Sequence, residues 1–198
     1  MKLTLSLLAA VTVPLVLATR VQAQQQVDIK SYALMSTQSK SIGRLCMGQS
    51  RADAIKVLGA PSKIERAYFE IDSDTAVVFH YRRNALYFVK DKLASFELGD
   101  NSLAYGQSLE QAFRVGAKLT PPAPPVAPDA PVPPSGYLLN KALLKGFDID
   151  SEPGESADYK YHTMVSSHIK FGNENSNGVF ELLFDENNKL FHISLRDI

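Results

Sequence analysis

Val77, Phe79 and Tyr81 alternate with Val78, His80 and Arg82. A period of two sends the two sets to opposite faces of a strand, so Thr75 to Arg82 is predicted to be extended. Ile64 to Ile71 reads as the strand before it. Ala85 to Val89 and Leu93 to Leu98 flank Lys90-Asp91-Lys92, which suits a tight hairpin. The C-terminal region repeats this ending. Val179 to Phe184 and Leu190 to Leu195 flank a polar turn at 185–189, with further strands expected over Tyr159 to Met164 and His168 to Phe171. Helical spacing occurs elsewhere. Ala54, Val57 and Leu58 share one helical face, Ser50 is placed to cap its start, and Gly59 with Pro61 ends it. Ser108, Gln111, Ala112, Val115 and Gly116 predict a second helix of the same kind.

These helix starts belong to an internal repeat. Leu45 to Val57 returns as Leu103 to Val115, with Gly48-Gln49-Ser50 matching Gly106-Gln107-Ser108 at an offset of 58 residues. A repeat indicates duplicated supersecondary units. The expected fold is therefore α+β. It has two tandem modules, each a short helix (or helix pair) packed on a four-stranded antiparallel sheet. The modules span 24–100 and 101–198. The second is opened by a proline-rich insertion at 120–136, where residues 121–134 hold eight of the eleven prolines. Such a run is a polyproline II spacer that builds no core.

The frame formed by Gly48, Ser50, Ala54, Leu58, Gly59 and Pro61, followed by the aromatic strand at Phe79 and Tyr81, resembles the SmpA/OmlA (BamE-like) envelope modules. It is also similar to the tandem modules of the β-lactamase inhibitor protein fold. That resemblance implies small modules that bind proteins and perform no catalysis. It does not imply β-lactamase as the partner, and the lipid-anchoring cysteine of BamE-like proteins is missing.

The N-terminus fits export. Lys2 precedes a mostly apolar run from Leu3 to Leu17, and Val21-Gln22-Ala23 presents small residues to a signal peptidase. Residues 1–23 are expected to be a signal peptide cleaved near Ala23, leaving the protein periplasmic or secreted. No membrane span or lipid anchor is expected. Cleavage removes Lys2 and Arg20 and shifts the formal charge from 0 to −2. No basic stripe remains, which argues against nucleic acid as a partner. The single cysteine, Cys46, excludes an internal disulfide and reads as a small core residue.

Candidate chemistry is sparse. The four histidines, His80, His162, His168 and His192, match no metal-ligand spacing. No Gly-x-Ser-x-Gly elbow occurs, and Ser50 and Ser108 are occupied as caps. No catalytic residue, cofactor or metal is expected. The acidic stretch Asp148 to Glu155 reads as a solvated loop. The polar faces of the sheets remain. With Val77, Phe79, Phe88, Phe96 and Leu98 inward, His80, Arg82, Tyr87 and Glu97 point outward. With Phe180, Leu182, Phe184, Phe191, Ile193 and Leu195 inward, His168, Glu181, His192 and Ser194 do. Tyrosine and arginine are favoured interface anchors. The expected partner-binding set is His80, Arg82, Tyr87, Glu97, Tyr159, Tyr161, His168 and His192, with a protein as partner. The alternatives are a secreted inhibitor of a hydrolase, such as a β-lactamase or protease, and a small-ligand or metal-binding protein.

Overall fold

The computed structural model describes residues 26–38, 43–69, 74–119, 143–156, 159–171 and 174–196. The expected signal peptide and the proline-rich segment lie outside them. The chain begins with β1 (Val27–Asp28) and β2 (Ala33–Ser36), then the one helix among the described residues, α1 (Arg51–Leu58). Ser50 Oγ accepts from Asp53 N–H, and Asp53 Oδ2 accepts from Ser50 N–H, so the capping box is closed. Gly59 ends the helix at φ 87°, where a side chain would be strained. An antiparallel meander follows: β3 (Lys63–Phe69), β4 (Asp74–Tyr81), β5 (Asn84–Val89) and β6 (Lys92–Leu98).

The second half differs from expectation. Ser108 caps a turn, through Gln111 N–H, and no helix follows. The chain instead runs from β7 (Leu103–Gly106) into β8 (Ala112–Phe113). A helix here would have only two turns, too few to hold by propensity. Extending the chain buries Phe113 fully, with its ring 5.2 Å from Phe180 and 5.8 Å from Phe147. Then come β9 (Asp148–Asp150), β10 (Gly154–Ser156), β11 (Tyr159–Tyr161), β12 (Thr163–Phe171), β13 (Glu174–Phe184) and β14 (Leu190–Arg196).

The two-module α+β expectation is thereby corrected. β6 and β14 pair edge to edge and fuse both meanders into one nine-stranded mixed sheet, ordered β1-β12-β13-β14-β6-β5-β4-β3 with β9 also on β12. Two separate sheets would each leave a hydrophobic edge strand unpaired; pairing β6 with β14 removes both edges. A small sheet, β2-β7-β8, and α1 cover one face. Leu34, Leu45, Tyr105 and Phe113 meet Phe88, Phe96, Phe180, Phe184, Ile193 and Leu195 in a single core.

The two halves make matching contacts, but not the ones read from Gly48 and Gly106. Gly48 N–H donates to Leu93 O, and Leu93 N–H to Gln49 O. The matching pair at the start of β14 is Gly116 N–H to Leu190 O and Leu190 N–H to Ala117 O. Gly48 and Gly116 both need positive φ, at 80° and 95°. The same bulge recurs as well. Ala94 is skipped between Tyr87–Ser95 and Phe88–Leu93, and Phe191 between Leu183–His192 and Phe184–Leu190. The halves meet about a pseudo-two-fold axis. Phe96 pairs with Leu195 and Leu98 with Ile193 on either side of Glu97–Ser194. β2 and β7 are paired about Leu34–Tyr105 in the same way.

Candidate functional site

The face of the large sheet opposite the core is polar. Cross-strand partners share a face. One line of them crosses the whole sheet: Lys63, His80, Ala85, Glu97, Ser194, Glu181, Ser166 and Asp148. A second line beside it holds Glu65, Val78, Tyr87 and Ser95 in the first half. In the second half Arg196, Val179 and His168 are partners.

In the first half Lys63 is exposed, Glu65, His80, Tyr87, Ser95 and Glu97 are half-buried, and Val78 is buried. His80 Nε2 lies 2.6 Å from Glu65 Oε1, and Lys63 pairs with the same carboxylate. Hydrogen bonds from Lys63 and then His80 hold the Glu65 carboxyl below the usual range. Tyr87 is half-buried. Burial, then the charges of Glu97, Tyr159 and Glu65, push its hydroxyl up to about 12, so it remains a proton donor.

In the second half the face is closed by the β10–β11 hairpin. Glu181 accepts from Arg196 Nη2 at 2.7 Å and from Ser194 Oγ and Ser156 Oγ at 3.3 Å. Arg196 Nη2 also reaches Ser156 Oγ at 3.3 Å. The Tyr159 ring stacks on His192, with centroids 4.1 Å apart and planes at 29°. His192 is therefore only 2% exposed, not the solvated histidine expected, and its Nε2 has no hydrogen-bond partner.

The sequence-predicted residues divide into three groups. Tyr87, Glu97, His80 and His192 share the polar face, with Tyr159 laid over it from the hairpin. His168 is half-buried on the same face at its far side. Tyr161 stays within the hairpin opposite Gly154. Arg82 is a correction: it occupies the β4–β5 turn at φ 59° and bonds Gln38 Oε1, away from the face. Phe191, expected inward, is the bulged residue and lies 6.2 Å from Tyr159. Glu65, Arg196 and Ser156 were missed. The period-two runs Lys63-x-Glu65 and His192-x-Ser194-x-Arg196 carried the first two. Nothing in the acidic loop marked Ser156.

Ser194 donates to a carboxylate that an arginine also holds. Among the described residues no three His, Cys, Asp or Glu side chains gather to hold a metal ion. No helix among them is long and apolar enough to cross a membrane. Comparison with protein families, curated proteins and solved structures finds no match to this chain.

His192 gives this site a pH signature. Burial, then the Arg196 charge, lowers its pKa from 6.5 to about 4. As pH falls, the unfolded chain takes up the proton first. The resulting stability is complete above about 6.5 and is lost towards 4. From pH 7 to pH 4 the wild type should lose roughly 3 kcal/mol through this residue. His192→Phe keeps a ring under Tyr159 and should lose that much less, as measured by urea unfolding at both pH values. Parallel losses in both proteins would show that His192 is not the titrating group.

Proposed function

We propose that this chain is a non-enzymatic protein-binding module of the cell envelope, exported by its N-terminal segment. It binds a protein partner through the first half of its polar sheet face, around Tyr87. The observation that carries this reading is the asymmetry of the duplicated face. One half is covered by the chain's own hairpin, while the other presents half-buried Tyr87 between Glu97 and the Glu65–His80 pair. A rigid aromatic ring with a protonated hydroxyl, set on a sheet face among charges, is a favourable anchor for a partner. The resemblance of the Gly48–Pro61 frame to protein-binding envelope modules supports the same class. The lowered positive charge after export disfavours nucleic acid.

Site-specific photo-cross-linking tests it. A photoreactive side chain at Ser95, beside Tyr87, should capture a discrete partner from the native envelope fraction. The same group at exposed Gln107, distant from the face, should not. Tyr87→Ala should reduce the Ser95 adduct by about tenfold, the effect of losing a modest hot spot. Equal adducts from both positions, or an adduct indifferent to Tyr87, would sink the assignment.

A further inference from the structure

A cavity of about 210 Å³ lies between the end of α1, the end of β2 and the β4–β5 turn. Hydrogen bonds fix both of its sides. On one side β2 is tied to the start of β7. Ser36 pairs with Leu103, Thr37 N–H donates to Ser102 O at 3.0 Å, and Thr37 Oγ1 donates to Asn101 O at 2.7 Å. On the other side, beyond the end of α1, Ser62 N–H and Ser62 Oγ both donate to His80 O, at 2.8 and 2.9 Å. Tyr81 Oη donates to Gly59 O at 3.1 Å, which satisfies the carbonyl between the lining residues Leu58 and Ala60.

The lining has an apolar part and a polar part. Leu58, Tyr81 and Leu103 form the first, with Tyr81 and Leu103 buried. Ser36, Ser62, Ser102 and Arg82 form the second, and Arg82 is the one ionised side chain in the lining. Ser36 Oγ accepts from Gln38 N–H at 3.3 Å and keeps its own proton to donate. The Asp100 carboxylate next to Ser102 is already held by Ser102 N–H, Arg83 N–H and Asn84 Nδ2. Arg82 Nη2 makes one long bond, at 3.3 Å, to Gln38 Oε1. A guanidinium carries five N–H donors in a fork that matches a carboxylate, so most of this one remains for a ligand.

Arg82 also stands where an arginine is strained. β4 ends at Tyr81 and β5 starts at its partner Asn84, so Arg82 and Arg83 form a two-residue turn, and Arg82 takes φ 59°. Glycine or asparagine fills such a position with less strain. What the Arg82 side chain reaches, the cavity, gives a reason for an arginine there.

We infer that this cavity binds a carboxylate carried on a short apolar body, with the Arg82 guanidinium on the carboxylate and the Leu58–Leu103 wall against the body. The volume holds about seven water-sized groups, which limits the body to a few carbons. A free small acid and the C-terminus of a polypeptide ending in an aliphatic residue both present this chemistry. The site lies away from the Tyr87 face and does not rest on it.

Amide chemical shifts of the full chain, titrated with 4-methylpentanoate, test the site. Ser36, Ser62, Arg82 and Leu103 should shift together, with a dissociation constant on the order of 1 mM, ordinary for so small a ligand. The neutral 4-methylpentanamide should bind at least about tenfold more weakly, because it lacks the charge that Arg82 meets. Arg82→Gly, which relieves the positive φ, should weaken binding of the acid by about tenfold and keep the wild-type spectrum outside the turn. Arg82→Gln, which keeps most of the stem, should lose as much. A short peptide ending in leucine with a free C-terminus separates the two sources. Binding at least as tight as that of the acid identifies a polypeptide end, and weaker binding identifies a free small acid. No shift at the cavity, equal binding of acid and amide, or an affinity indifferent to Arg82 would overturn the site.

Discussion

Tyr105→Ala is expected to lower the unfolding free energy by about 4 kcal/mol, the cost of emptying a large aromatic site in a closed core. Tyr105 is fully buried on β7, at the pseudo-two-fold contact with Leu34. Its ring lies 4.7 Å from Phe96, 5.5 Å from Phe180 and 5.6 Å from Tyr32, so it touches both halves and the small sheet. No neighbour can collapse into that space without leaving its own strand. Tyr105→Phe should behave in the opposite way. The hydroxyl is buried with no partner, so removing it should leave stability within about 1 kcal/mol of the wild type or raise it. Urea unfolding of the two variants checks both statements. A large loss in Tyr105→Phe would mean that the hydroxyl has a partner.

Asn84→Asp should cost about 3 kcal/mol at pH 7, despite being nearly isosteric. Asn84 is completely buried at the start of β5. Its Oδ1 accepts from Gly99 N–H at 3.0 Å and Asp100 N–H at 3.1 Å. Its Nδ2 donates to Asp100 Oδ1 at 3.1 Å and Ser102 Oγ at 2.9 Å. All four bonding positions are used, and they fix the bend that carries the chain from β6 into the small sheet. The substitution replaces the donating nitrogen with an oxygen facing the Asp100 carboxylate. Burial opposes ionisation of Asp100, but hydrogen bonds from Ser102, Arg83 N–H and Asn84 outweigh it and keep its pKa low. The two carboxylates would then repel, the new one fully buried and Asp100 half-buried beside it. The new group's folded pKa is raised, so its penalty is absent below its unfolded value near 4 and grows as pH rises. The deficit should therefore shrink when unfolding is measured at pH 4.5. An undiminished deficit would show that lost hydrogen bonds alone, without charge repulsion, set the cost.

The strands were legible because each reports itself locally. Val77, Phe79, His80 and their neighbours alternate, Lys90-Asp91 takes positive φ in a two-residue turn, and Asp185 caps the turn before β14. The first helix was legible for the same reason: Ser50, Asp53 and Gly59 close it within ten residues. The second helix was not. Its cap and spacing resemble the first, but Phe113 gains more by joining Phe147 and Phe180 than two helical turns can offer. The candidate site was half legible. Period two placed Tyr87, Glu97 and His80 on the polar face of one sheet and His192 on that of another, and the pairing of β6 with β14 made them one face. The period gave no sign that Tyr159 would cover His192, because the hairpin doubles back through space.

The sequence by itself determined which residues alternate and where turns fall. Those properties depend on side-chain size, polarity and backbone freedom within a few residues. Tertiary structure alone decided that β6 and β14 join the meanders into one sheet, and that Gly116, not Gly106, takes the place of Gly48. It also decided that one copy of the hairpin lies in the sheet while the other folds across it. Edge pairing, aromatic burial and the covering of a polar face are contacts between distant segments. Their free energies are set by what each segment finds beside it, and no local pattern encodes that.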